Sequence, residues 1–469
     1  MALAHYVKEN PIRAVGPLGG LLARAGRELA GRLPLMARKM AAERAFPGAG
    51  SVRGTWRILV QRAPRIALLA AIGPGLVSGF ADNDAGGITT YSVVGARFGY
   101  DLLWVVLASM IALGITQEVG ARLGLATGQG LGGLVRERFG VRWASFAVGV
   151  LLIANLGDTV AEFAGIGAAL ALFGVPAPLS AAVAAVVMVT LLARGSFGRI
   201  QWVFLGTGVA VSIAYAVSAA MAHPDWGQAG LRLVVPRIDP GAAYLLAVMG
   251  TVGTTITPWG QAFIQSYTAD KRLGPEHLGV SRLDITAGAI VTNVVAGFIV
   301  VACAATLWAH GQTDIPDAAT AARALGPFAG HLATDLFAFG LLAASLLGLG
   351  TVPLTSTYTA TEAFGWERGL HWRWREAPVF YGLLAFFVGV AALFVVVPGL
   401  PLIPVMFLSQ VFDGLLLPII LTFVMLMGAD RRLLGPLASG RVLQVAGWAV
   451  VVVTSGLSVG LVVATLAGA

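Results

Sequence analysis

Residues 73–91 read GPGLVSGFADNDAGGITTY. The segment starts as an apolar membrane span, places Asp82, Asn83 and Asp84 in its middle, and follows them with Gly86 and Gly87. A carboxylate in hydrocarbon is costly unless it faces a partner or a wet cavity, so acids inside a span mark a functional site. Asp82 and Asp84 are two residues apart and would point in different directions on a regular helix. Only an unwound segment lets both approach one ion. The stretch therefore reads as a cation site on a broken helix, with Asp84 as a ligand and Asp82 as either a second ligand or a vestibule charge that attracts cations.

The rest of the chain supplies a membrane for that site. Of 469 residues 57% are apolar and 12% charged, and mean hydropathy is +0.82, which defines a polytopic membrane protein. The formal charge of +8 implies no nucleic-acid partner, because the bases sit in loops, where they set topology. Cys303 is the single cysteine, so an internal disulfide and a cysteine-built metal site are both excluded. No nucleophile–base constellation supports an enzyme.

Apolar runs of at least about 20 residues, the length needed to cross a bilayer, are the first guide to topology. They fall near 67–95, 102–123, 143–168, 176–194, 200–222, 242–267, 285–309, 333–358, 377–397, 402–427 and 443–467, which makes eleven spans. With the N-terminus inside, the loops after even-numbered spans should be basic. They hold Arg122, Arg136, Arg138 and Arg142; Arg194 and Arg199; Lys271, Arg272 and Arg282; Arg368, Arg373 and Arg375; and Arg431, Arg432 and Arg441. The expected setting is the inner membrane, with the lipid bilayer as partner, a cytoplasmic N-terminus and an external C-terminus. Residues 1–66 carry twelve Lys and Arg against Glu9, Glu28 and Glu43 and lack a signal-peptide core. They read either as an amphipathic helix on the inner surface or as a basic tail that fixes orientation.

Span 6 is interrupted like span 1. Residues 247–267 read AVMGTVGTTITPWGQAFIQSY, with Gly250, Gly253, Pro258 and Gly260 breaking an apolar run and Thr251, Thr254, Thr255 and Thr257 around the break. Two broken segments five spans apart point to an inverted repeat, 67–222 against 242–427, with 443–467 as an added helix. Unwound backbone in both would offer carbonyl oxygens to a cation.

Ionisable side chains expected at membrane depth are Asp82, Asp84, Glu118, Asp158, Glu162 and Asp413, with Asp284 and Asp335 near span ends. No histidine falls in a span and no Lys or Arg is central. An acid-only interior wants cations. Asp158 and Glu162 are four apart and share a helix face, which suits a polar path or a hydrogen bond across helices. Gln410 could give an amide oxygen or serve as interhelical glue, and Asp413 lies about one turn further on. Every plausible ligand is oxygen, and soft sulfur is absent at both breaks. Hard-oxygen sites with few carboxylates suit Mg²⁺, which usually keeps several waters, although Mn²⁺ and Ca²⁺ accept oxygen too.

Five stretches, in order, resemble the NRAMP divalent-metal transporters: GPGLVSGFADNDAGG, LLWVVLASMIALGITQEVGARLGLATGQGL, GTTITPWGQAF, VTNVVAGFIVVACAATL and LSQVFDGLLLPIILTFVML. The resemblance implies the eleven-helix, LeuT-like fold of the amino-acid/cation transporter superfamily, all α, with an inverted 5+5 repeat and unwound helices 1 and 6. Asp84 takes the place of the family's coordinating Asp, whereas Ala85 stands for its Pro and Gly87 for its coordinating Asn. Thr257 stands for the metal-binding Met, Thr254 for an Ala, and Trp259 for a His implicated in proton movement. The acidic pair DTVAE is spaced one residue wider than the family's. These departures resemble the NRAMP-related magnesium transporters, a branch that carries hydrated Mg²⁺, accepts Mn²⁺ and needs no proton symport. The expected metal site is Asp84 and Asp82, the region of Gly87, Gly253, Thr254 and Thr257, and Gln410, with Asp158, Glu162, Glu118 and Asp413 as a polar pathway. The expected cargo is Mg²⁺ or Mn²⁺, transported rather than held as a cofactor, by a monomer. A proton-coupled Mn²⁺/Fe²⁺ importer is the alternative, and an amino-acid or amine carrier of the same fold stands below it.

Overall fold

The computed structural model describes residues 74–467 apart from 194–196, 271–272, 370–373 and 398. The basic segment 1–66 lies outside the described residues, as does the start of the first apolar run. From Pro74 onward the chain is almost entirely helical, because long apolar runs in a bilayer must satisfy their backbone within each segment.

The first span is two helices, α1 (Pro74–Ala81) and α2 (Ala85–Phe98), with Asp82, Asn83 and Asp84 between them. At 1.5 Å per residue neither half alone crosses a hydrocarbon core of about 30 Å. There follow α3 (Leu103–Thr127), the short α4 (Leu131–Phe139), α5 (Val141–Ala171), α6 (Ala177–Ala193), α7 (Phe197–Met221) and the short α8 (Trp226–Val234). The sixth span is again split, into α9 (Ala242–Thr255) and α10 (Pro258–Asp270). Next come α11 (Leu278–Thr306), two short helices α12 (Ala318–Ala322) and α13 (Gly326–Ala329), then α14 (Ala333–Phe364), α15 (Pro378–Val396), α16 (Leu402–Gly428), a turn of helix α17 (Arg431–Leu434) and α18 (Arg441–Leu466). Each apolar run of the sequence thus has its helix, and the two expected to be broken are the two that break. Among the described residues seven helices are individually long and apolar enough to cross a membrane, and the chain is a multi-pass membrane protein.

Glycines let the broken helices approach their neighbours. A Cβ on Gly79 of α1 would lie 2.6 Å from the Gly288 carbonyl of α11, and one on Gly288 would run into the Gly75 carbonyl. Without a hydrophobic driving force between helices in lipid, such backbone contact is what packs them. Asp284 of α11 adds a polar clasp: its carboxylate accepts the Gly75 N–H (2.6 Å) and the Leu76 N–H (3.2 Å), satisfying donors at the start of α1. Outward faces are apolar, as lipid requires, with Val442, Val445, Val452, Val459 and Leu466 of α18 exposed.

Candidate metal centre

Asp84 begins α2 as its N-cap. Its backbone is extended (φ −74°, ψ −169°) and its carboxylate accepts the Gly87 N–H at 2.8 Å. A carboxylate here bonds an orphan amide and complements the positive helix end, so the same residue both breaks the span and restarts it. The turn folds the Asp82 carbonyl back over Gly87. A Cβ on Gly87 would lie 2.6 Å from that carbonyl oxygen, 3.3 Å from Thr254 Oγ1 and 3.5 Å from Asp84 Oδ1. A carbonyl, a hydroxyl and a carboxylate therefore converge on the bare Cα of Gly87, and Thr254 Oγ1 is buried without a hydrogen-bond partner.

The break in span 6 is built similarly. α9 ends at Thr255, Pro258 starts α10, and Thr257 Oγ1 accepts the Gly260 N–H at 3.1 Å. Proline favours the first turn of a helix because it lacks the N–H that would go unused there. Over Gly260, the position of a Cβ would be 2.7 Å from Thr257 Oγ1, 3.6 Å from Ser78 Oγ and 3.7 Å from Asp82 Oδ1. The two breaks thus meet: Asp82 faces Thr257, and Thr254 faces Gly87. Neither Asp82 oxygen receives a hydrogen bond of ordinary geometry. Gly253 serves a different end, its bare Cα lying against the Gln410 backbone carbonyl where α9 crosses α16.

Three further acids adjoin this point. Glu162 of α5 lies beside Asp84 and fits against the bare Gly348 of α14. Asp158, one turn earlier on the same face, accepts the Gln410 side-chain N–H at 2.9 Å, and Asp413 lies against it. All five acids are at most 2% exposed. Glu118 does not join them. It lies on α3 in ion pairs with Arg122 and Arg282, both at 2.7 Å, apart from the five acids.

Sequence reasoning passed over several polar groups that face the same interior. Gln117 donates to Ser78 Oγ (3.1 Å), Gln261 of α10 is buried with both amide atoms unpartnered, and Asn83 reaches the Thr292 carbonyl at 3.5 Å. The signal was present in GITQEVG and PWGQAF, where amides interrupt apolar runs. Sulfur is engaged elsewhere: the Thr89 hydroxyl donates to Met406 Sδ at 3.5 Å. Among the described residues no three His, Cys, Asp or Glu side chains form a ready cage. A cation here would be held by a mixture of carboxylate, carbonyl, hydroxyl and its own water.

A membrane bundle whose first and sixth spans unwind at one shared oxygen-lined point has the LeuT-like transporter architecture. MhsT, solved with L-phenylalanine, has this fold (TM-score 0.57, 14% identity, 84% of this chain and 98% of that one), as does a manganese transporter from Eremococcus coleocola (TM-score 0.66, 21% identity, 85% and 87%). A family profile described as Natural resistance-associated macrophage protein-like matches residues 75–464. Relatives named divalent metal cation transporter MntH are 33% identical in Ralstonia nicotianae, over 86% of this chain and 92% of that one, and 30% identical in Deinococcus radiodurans, over 83% and 89%. The chain belongs to the Nramp family and is a membrane transporter, not an enzyme.

Proposed function

We propose that this Nramp-family divalent-metal transporter carries Mg²⁺ inward by alternating access, with part of the ion's water retained and without obligatory proton symport. The observation that carries this reading is the set of oxygens around Gly87, where the Asp82 carbonyl, Thr254 Oγ1 and Asp84 Oδ1 converge on a bare Cα. Hard oxygen donors with few carboxylates suit an ion that dehydrates reluctantly. A glycine at this point and threonines at 254 and 257 leave no soft sulfur among the residues of the two breaks. Trp259, fully buried, stands where a proton-carrying histidine would be needed for symport of the family's usual kind. The repeat units are 67–222 and 242–427, with the N-terminus inside, the C-terminus outside and the chain acting as a monomer.

Uptake without protons is energetically sufficient. A divalent ion gains about 4.6 kcal/mol per 100 mV of membrane potential, twice the single-charge value. At about 1.4 kcal/mol for each factor of ten, that sustains roughly a thousandfold gradient.

The second reading, a proton-coupled Mn²⁺ importer, is favoured by the 33% identity to a protein named divalent metal cation transporter MntH. The two separate in one experiment: Mg²⁺ and Mn²⁺ flux into proteoliposomes loaded with a proton-sensitive dye. Mg²⁺ influx with no internal acidification supports the first reading. Acidification that tracks Mn²⁺ entry, with Mg²⁺ excluded, replaces it with the second.

A further inference from the structure

Between α3, α8 and α11 lies a cavity that the metal centre does not use. It holds about 330 Å³ and is walled by residues 103–110 of α3, 226–233 of α8 and 293–301 of α11. Glycines on two of the walls keep it open: a Cβ on Gly230 of α8 or on Gly297 of α11 meets no atom within 4 Å among the described residues. The short helix α8 packs on α3 and is fastened by Arg232, which pairs at 3.3 Å with Asp101 in the turn before α3. Trp226, Leu233 and Val294 both line the cavity and are exposed, so it is continuous with the lipid-facing surface. Its occupant therefore comes from the bilayer.

Among the lining side chains Asn293 alone is polar. It is 4% exposed, and its Nδ2 donates to the Ala289 carbonyl of its own helix at 2.9 Å, while its Oδ1 is buried with no donor among the described residues. Turning the amide over would set its oxygen against that carbonyl, acceptor to acceptor, so the oxygen is the free atom. Apolar contact alone gives an occupant no reason to prefer this groove, because lipid tails are as apolar as its walls. A donor gives one. In hydrocarbon a hydroxyl has no partner, and at Asn293 it meets an acceptor that itself lacks a donor.

We propose that this groove binds a membrane-dissolved alcohol, a single alkyl chain whose hydroxyl donates to Asn293 Oδ1. The dimensions favour one chain over the two of a phospholipid. The volume is at the low end of the range for ligand pockets, about 300–1,000 Å³, and from Asn293 to Val301 the α11 wall runs only about 12 Å at 1.5 Å per residue. Charged amphiphiles fit less well. A carboxylate or phosphate brings no donor to Asn293, an ammonium would be desolvated without a counter-charge, and no ionisable side chain lines the groove for either. The wall is also tied to the first helix break, since the Thr292 carbonyl, next to Asn293, accepts the Asn83 side-chain N–H at 3.5 Å.

The test uses a diazirine-bearing octanol as a photoprobe on the purified full chain in nanodiscs, with no divalent ion present and adducts located by mass spectrometry. Wild type is labelled within 103–110, 226–233 or 293–301, and excess octanol protects these segments whereas octane does not. Asn293→Leu removes the acceptor, keeps the bulk and weakens binding of the probe about tenfold, the equivalent of ~1.4 kcal/mol. Gly297→Leu fills the groove and abolishes labelling there, and Gly230→Leu does the same from α8. Size-exclusion profiles confirm that the variants fold, and the wild-type contrast of octanol with octane stands without them. Protection by octane equal to that by octanol overturns the site in favour of a merely apolar groove. Adducts confined to other segments, or labelling undiminished in folded Asn293→Leu, also overturn it. Since no divalent ion enters the assay, failure here leaves the Mg²⁺ reading untouched.

Discussion

Asp84 and Gly87 are joined by a 2.8 Å hydrogen bond from the Gly87 amide to the Asp84 carboxylate, so one residue caps a helix and places a carboxylate at the break. The two roles separate by substitution. Asn caps as well as Asp, whereas Ala forfeits about 1 kcal/mol at such a position. Asp84→Asn should melt close to wild type and lose Mg²⁺ uptake in proteoliposomes. Asp84→Ala should lose uptake and melt lower. Uptake retained by the Asn variant would remove the cargo from this helix break.

Gly87 is tested by the smallest possible addition. A Cβ there lies 2.6 Å from the Asp82 carbonyl, which is backbone and cannot swing away as a side chain would. Overpacking of this kind typically costs about 1–3 kcal/mol. Gly87→Ala should lower the melting temperature and weaken Mg²⁺ binding by isothermal titration, whereas Ala at Gly297, whose Cβ position is open, should do neither. Equal effects at the two positions would mean that the oxygens around Gly87 are not where the ion sits.

The two breaks were legible in the sequence because their causes are local. Asp-Asn-Asp followed by two glycines, and threonines before a proline, are residues that cap and restart helices within three or four positions. What brings the site together is not local. Gln410 reaches Asp158 across 252 positions, and Asp284 clasps the start of α1 across 209. No spacing rule connects such pairs. Glu118 is a local case again: Arg122 is four residues away and pairs with it, a relation visible in the sequence.

That placement of Glu118 has its own consequence. Its Oε1 receives Arg122 Nη2 and Arg282 Nε, and the Arg122 side chain is only 8% exposed. Exposed pairs contribute about 0–1 kcal/mol and fully buried ones cost about 3–5 kcal/mol to break, so this half-buried trio falls between. Glu118→Gln should lower the melting temperature by several degrees while leaving the Mn²⁺/Mg²⁺ competition ratio where it was. A shifted ratio would return Glu118 to the ion's path.

Thr257 is where preference between metals should be set. Its hydroxyl accepts the Gly260 N–H at 3.1 Å and shares with Ser78 and Asp82 the space over Gly260. Thr257→Met would exchange a hard oxygen for a thioether, and softer ligands favour transition metals over Mg²⁺. It also removes the cap of α10, at about 1 kcal/mol, so the variant should melt slightly lower whatever happens to selectivity. The selectivity readout is the competition of Mn²⁺ against Mg²⁺ uptake, expected to move toward Mn²⁺ by about tenfold, which is ~1.4 kcal/mol of differential binding. Thr257→Ser keeps the oxygen and the cap and should leave the ratio unchanged. A methionine variant that melts lower but competes like wild type would place Thr257 in the helix break as a cap alone, and the choice between metals would then rest on Asp84, Thr254 and the Asp82 carbonyl.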